Sequence, residues 1–200
     1  MGSLLSRKTL LPDASKKHPP FIFLDVDGVL NNMKCMTCQF DDDDDDYITI
    51  QKVDKQSNTS EFLIPLYRPF LLNLKYILDT LKEKGSKCKI VMSSTWRLDP
   101  LSMSFLMLAL DSVGIEKGII VGMTPSDHTV GRGGEVQAYL NQHLNVKNYV
   151  ILDDNHAESF IEYGMTNRFI QTYSSMMSDA ELVDEGLNKE KAEAVIALLS

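Results

Sequence analysis

The feature that most constrains this chain is the stretch Phe21-Ile22-Phe23-Leu24-Asp25-Val26-Asp27-Gly28-Val29-Leu30. An apolar run this short, closed by a turn signal, is a fully buried strand. Asp25 and Asp27 then stand at its carboxyl end, where open α/β sheets keep their ligands. A period of two puts both side chains on one side of the chain. Two adjacent carboxylates repel, so burying them calls for a cation, and oxygen ligands in a tight turn suit Mg²⁺. Gly28 allows the sharp turn. A solvated Asp pair beside a turn glycine is the competing reading of this stretch, and the remainder of the chain decides between them.

The remainder alternates strands with helices. Arg68-Pro69 opens a helix whose apolar face is Phe70, Leu74, Ile77, Leu78 and Leu81, closed at Lys84-Gly85. Lys89 to Met92 is a second strand, running into Ser93-Ser94-Thr95-Trp96-Arg97. Asp99-Pro100 caps a helix to about Val113, with Gly114 as its stop. Gly118 to Gly122 is a third strand, and Arg132-Gly133-Gly134-Glu135 leads a helix to about Leu144. Tyr149 to Leu152 is a fourth strand ending in Asp153-Asp154, and Arg168 to Gln171 a short fifth. Residues 180–200 close with a helix facing inward through Ala192, Val195, Ile196 and Leu199. This pattern predicts an α/β fold: an open, mostly parallel five-stranded Rossmann-like sheet with helices on both faces.

Between the first strand and Arg68, residues 31–66 form a loop-and-hairpin insertion. Tyr47 to Val53 and Glu61 to Leu66 pair as the hairpin, too small for a cap. The run Asp41 to Asp46 is a solvated, self-repelling loop. It supplies −6 of the net charge of −8, so the rest is near neutral and argues neither for nor against a nucleic-acid partner. Cys35 and Cys38 lack a second ligand pair at zinc spacing and read as free thiols. An odd Cys count of 3 without a secretory segment fits a reducing, cytoplasmic setting. Residues 1–20 read as a flexible tail ahead of one domain over 21–200. Within the tail, Gly2 and Ser6 match an N-myristoylation pattern, with Arg7-Lys8 as a second membrane signal. The expectation is a lipoprotein on the cytoplasmic face of a membrane, against a chance match in a cytoplasmic protein.

Three strand ends carry polar chemistry: Asp25/Asp27, Ser93/Ser94 and Asp153/Asp154. In a parallel sheet they lie on one edge and converge. Each group has a use in phosphoryl transfer. Asp25 can attack phosphorus, Asp27 can protonate the leaving oxygen, and Ser93 can bind a phosphoryl oxygen. Arg132 can offset charge that develops on the phosphoryl group, and Asp153 or Asp154 with Asp25 can hold Mg²⁺.

In these four motifs, in this order, the chain resembles the haloacid dehalogenase-like (HAD) superfamily over roughly residues 21 to 199. Leu24 to Asn31, Ser93-Ser94-Thr95-Trp96-Arg97 and Ile151-Leu152-Asp153-Asp154 look like the HAD domains of Swiss Army Knife RNA repair proteins. The resemblance implies Asp25 as nucleophile and Asp27 as acid/base, the second Asp being typical of the superfamily's phosphatases. It also implies Mg²⁺ held by Asp25, the Asp27 carbonyl and the acidic pair. Ser93 directly follows its strand and is preferred to Ser94 as the phosphate-binding serine. With no cap-sized insertion, the site would admit a bulky phosphorylated partner, a nucleic-acid end or a phosphoprotein, alongside nucleotides; the protein is expected to be a monomer. A catalytically silent scaffold on the same fold is the second class of function, but a scaffold has no need of a repulsive carboxylate cluster. A phospho-receiver is the third, and its motif order differs. Trp96 and Arg97 read equally as a base-stacking, phosphate-binding pair and as a packed Trp with an Arg salt bridge. His128 and His156 flank motif loops and are the remaining acid/base candidates.

Overall fold

The computed structural model describes residues 18–37, 45–49, 51–53, 60–62, 64–172 and 185–200. Gly2 and the remainder of the tail up to residue 17, Cys38, and Asp41 to Asp44 lie outside them.

Strand β1 (Pro20–Leu24) is the centre of a sheet of 5 strands. A five-residue helix, α1 (Met33–Thr37), follows the first turn, in a region the sequence reads as irregular. Four short strands then form the predicted hairpin, as two separate antiparallel ladders. β2 (Tyr47–Ile48) pairs with β5 (Leu66–Tyr67), and β3 (Gln51–Val53) pairs with β4 (Ser60–Phe62). The hairpin base is tied to the domain where Tyr67 N–H donates to the Leu30 carbonyl at 2.9 Å and Arg68 Nε to that of Asp45 at 2.8 Å.

The α/β alternation follows: α2 (Arg68–Glu83), β6 (Lys89–Met92), α3 (Pro100–Ser112), β7 (Ile120–Met123), α4 (Gly131–Gln142), β8 (Asn148–Asp153), α5 (Ala157–Glu162), β9 (Phe169–Gln171) and α6 (Lys189–Leu199). The sheet order is β7-β6-β1-β8-β9, every pair parallel. Asp99 caps α3 by accepting from Leu101 and Ser102 N–H, as its place before Pro100 predicts. β7 lies later than expected, because Lys117–Ile119 coils into a single 3₁₀ turn first. The terminal helix likewise begins at Lys189, with Asn188 as its cap. The six-residue α5 has no counterpart in the sequence reading; it is below the length at which periodicity separates helix from loop.

Burial explains why β1 carries no polar residue before Asp25. Ile22 and Leu24 face a core shared with Ile90, Met92, Val150 and Leu152, closed by α2, α3 and α6. Phe21 and Phe23 face a second core with Val91 and Ile151, closed by α4 and α5. A strand covered on both faces reads as a continuous apolar run. Each such side chain contributes about 1.5–3 kcal/mol. Those two cores fix the strands, and the strands fix the site.

Candidate active site

Register sets the convergence. Leu24 pairs with Met92 on one side and Leu152 on the other. The next residues of the three strands, Asp25, Ser93 and Asp153, are therefore neighbours. Ser93 N–H donates to the Leu24 carbonyl and Asp25 N–H to that of Leu152, both at 2.9 Å. The chain runs outward from β1 to β6 and β7, then returns to β8 on the other side. The site thus lies at a topological switch point, beyond the carboxyl ends of the strands.

Gly28 makes the first turn possible in two ways. Its φ is +66°, and a Cβ there would lie 2.5 Å from the Cβ of Asp154. Only a glycine lets this turn press against the acidic pair. Thr172, just after β9, pins the turn from beneath by donating its hydroxyl to the Gly28 carbonyl at 2.8 Å. Asn31 closes it, accepting from Gly28 N–H at 2.8 Å and donating to Asp27 Oδ1 at 2.9 Å.

Asp25, Asp153 and Asp154 place one carboxylate oxygen each within 4.8 Å of one another. Asp25 and Asp153 are buried and Asp154 is half-buried. Burial raises the Asp25 carboxyl above its ordinary value; Arg132 and a hydrogen bond from Ser94 oppose the rise. Burial, reinforced by the charge of Asp25, pushes Asp153 up to about 8 and Asp154 up to about 6. Carboxylates raised this far by burial and by one another are a site short of positive charge. Among the described residues, Asp153 Oδ2 and Ser93 Oγ are the buried side-chain polar atoms without a hydrogen-bond partner. A cation against Asp153 Oδ2 would satisfy the first, so this oxygen-only donor set fits a hard divalent ion. Both members of the acidic pair belong to the set.

The Asp27 side chain is not part of that cluster. It is half-exposed, with Oδ2 accepting from the Trp96 indole at 3.0 Å and Oδ1 from Asn31. The sequence prefers Ser93 to Ser94; the structure gives the Asp25 hydrogen bond to Ser94 and leaves the Ser93 hydroxyl buried and unpartnered. Arg132, in the first turn of α4, stands with Nε 3.7 Å from Asp153 and a terminal nitrogen 3.7 Å from Glu135. Neither contact is a hydrogen bond. Gly133 sets this approach: its N–H donates to Ser159 Oγ of α5 at 2.9 Å, and a Cβ there would fall 2.5 Å from the Ser159 carbonyl oxygen.

Trp96 and Arg97 follow the packed alternative. Arg97 pairs with Glu135 at 2.9 Å, with both side chains buried, and donates to the carbonyls of Ser93, Ser94, Thr124 and Pro125. Trp96 stacks on Phe105, ring centroids 6.2 Å apart. His128 is exposed on its loop; His156 is exposed and takes a left-handed φ of 62° just before α5. Sequence reading missed Asn31, Glu135, Ser159 and Thr172. They are ordinary polar residues, and only their long-range partners mark them.

A family model described as the HAD domain in Swiss Army Knife RNA repair proteins matches residues 21–181. No curated protein and no solved structure matches the chain.

Proposed function

The chain belongs to the family of HAD domains of Swiss Army Knife RNA repair proteins, and from that premise we propose that it is a Mg²⁺-dependent phosphomonoesterase acting through an aspartyl-phosphate on Asp25. The observation that carries the reading is the crowded trio of buried Asp25 and Asp153 with half-buried Asp154, in which one Asp153 oxygen accepts no hydrogen bond. Crowded like charge is costly to bury, and a structural or scaffolding role offsets none of that cost.

The residues divide the work. An Asp25 oxygen bonds to phosphorus while the ester P–O bond breaks, and Asp27 gives its proton to the leaving oxygen. Asp27 then takes a proton from water as that water attacks phosphorus, which returns Asp25 and releases phosphate. Arg132 and the serine hydroxyls at the end of β6 face the phosphoryl oxygens, and the uncommitted guanidinium donors of Arg132 meet the charge that builds there. Asp25, Asp153 and Asp154 would hold the Mg²⁺, which would supply the neutralisation that lets one anion approach another.

The substrate is a bulky phosphorylated end, on nucleic acid or protein. Among the described residues the insertion after β1 supplies one short helix and two short ladders, not a cap-sized domain. The test is phosphate release with Mg²⁺ from phosphorylated RNA and DNA ends, phosphopeptides, nucleotides and a chromogenic ester. Release from the large substrates at rates well above the nucleotides is expected; preference for free nucleotides would overturn the substrate class. Membrane attachment through Gly2 is a separate proposal, supported by the sequence pattern alone. Mass spectrometry after expression in a eukaryotic host should show an acylated Gly2, and an unmodified one refutes it.

A further inference from the structure

Asp27 stands in the turn after β1, past the last ladder hydrogen bond, so the sheet does not aim its carboxylate. Two side chains do. The Trp96 indole N–H donates to Oδ2 at 3.0 Å and the Asn31 amide to Oδ1 at 2.9 Å. A carboxylate offers about four lone-pair sites. One donor on each oxygen fixes the carboxylate plane and leaves a site on each oxygen for the travelling proton.

Both donors are themselves held. Asn31 is fully buried, and its carbonyl end is occupied by Gly28 N–H. Trp96 lies in the single 3₁₀ turn Thr95–Leu98, whose start is capped by the Ser94 hydroxyl accepting from Trp96 N–H at 3.3 Å. Its ring is backed by Phe105 of α3, at an interplanar angle of 27°. The path from α3 through Trp96 to Asp27 is thus rigid at each step. A buried indole N–H always seeks an acceptor. Here the acceptor is the acid/base carboxylate itself.

We propose that Trp96 is a positioning residue for proton transfer by Asp27, acting through its indole N–H. The inference rests on the acid/base reading of Asp27 given above. Its consequence is selective. A misaimed acid slows departure of a poor leaving group and hardly affects a good one, which departs unprotonated. Misplacement of a reacting group by about 1 Å can cost about 10²-fold.

The experiment compares phenyl phosphate with p-nitrophenyl phosphate, two aryl esters of similar shape. The phenol of the first has a pKa of about 10, like a tyrosine side chain; the nitrophenol is a much weaker base. Trp96→Phe keeps a ring on Phe105 and removes the N–H. A second variant replaces Trp96 with benzothienylalanine, which keeps the indole's shape with sulfur in place of N–H and avoids the risk of a cavity. The readout is kcat/KM, which covers the steps up to departure of the leaving group and excludes the later attack of water that Asp27 also assists. The expected result in both variants is a kcat/KM for phenyl phosphate down by about tenfold or more and a kcat/KM for p-nitrophenyl phosphate within about threefold of wild type. Equal losses of kcat/KM on the two esters, or no loss on either, in the benzothienyl variant would overturn the proposal. Wild-type protein inert with Mg²⁺ on both esters and on every phosphorylated nucleic-acid end, phosphopeptide and nucleotide named above would instead remove the phosphatase reading, and this inference with it.

Discussion

Two clusters of buried charge meet at Arg132, and they are built in opposite ways. In one, Arg97 spends all five of its N–H donors: on the carbonyls of Ser93, Ser94, Thr124 and Pro125 and on Glu135 Oε2. Glu135 uses its other oxygen on Asp127 N–H at 2.9 Å. This cluster ties the loops after β6 and β7 to α4. In the other, Asp25, Asp153 and Asp154 crowd together with an Asp153 oxygen that accepts no hydrogen bond and their carboxyls raised. The saturated cluster shapes the loops, whereas the unsaturated one is complete only with something from outside. Satisfaction, rather than burial or charge, separates the structural polar residues from the chemical ones.

The largest expected effect breaks the unsaturated side. Asp25→Asn removes the proposed nucleophile with almost no change of shape. Turnover with the best substrate should fall by about 10³-fold or more, given what nucleophile losses cost elsewhere. The melting temperature of the metal-free protein should hold or rise, because a repelling charge has gone. Near-normal turnover would remove Asp25 from its role.

Next is a change on the saturated side. Arg97→Leu strips its side-chain donors from four carbonyls, of which that of Ser94 keeps the backbone N–H of residue 97 at 3.2 Å, and leaves Arg132 as the cation nearest Glu135. Removing one partner of a buried pair costs about 3–5 kcal/mol. Denaturant unfolding should show a loss of that order, with turnover per folded molecule changing far less than in Asp25→Asn. A loss below about 1 kcal/mol would show that the network is not a structural tie.

The same contrast explains what was legible in sequence. The strands β1, β6 and β8 announce themselves by apolar runs ending in Asp or Ser, and parallel register then forces Asp25, Ser93 and Asp153 together. Position alone sufficed there. Trp96 and Arg97 did not yield, because an Arg beside a motif looks the same whether its donors are free or spent. The spending happens on Thr124, Pro125 and Glu135, about 27 to 38 residues away. Ser93 and Ser94 alternate across the end of β6, and which one reaches Asp25 depends on how the chain bends into the 3₁₀ turn at Thr95. α5 was missed for a local reason: it opens on a left-handed His156 without a capping side chain, so neither length nor cap signals it.

The smallest effect sharpens the comparison through pH. Asp153 is raised to about 8 and Asp154 to about 6, from an ordinary value near 3.8. Between about pH 4 and 8 the folded metal-free protein therefore binds protons that the unfolded chain has already lost. Stability must fall as pH rises through that window, the reverse of the usual behaviour for a salt-bridged aspartate. A divalent cation bound there would replace those protons, so its affinity should grow with pH, and binding only the folded state would add stability. In thermal unfolding without metal, the melting temperature should decline from pH 5 to pH 8. Each kcal/mol corresponds to about 2–4 °C for a chain of this size. With saturating Mg²⁺ the decline should shrink, and the Mg²⁺-induced rise should be larger at pH 8 than at pH 5. Asp153→Asn should flatten the metal-free curve, since it removes the carboxyl raised to about 8 on the unsaturated side, while Arg97→Leu should lower the curve and leave its slope. A flat metal-free profile in the wild-type protein would mean that the acidic cluster is already balanced within the chain, and the contrast between the two clusters would fail.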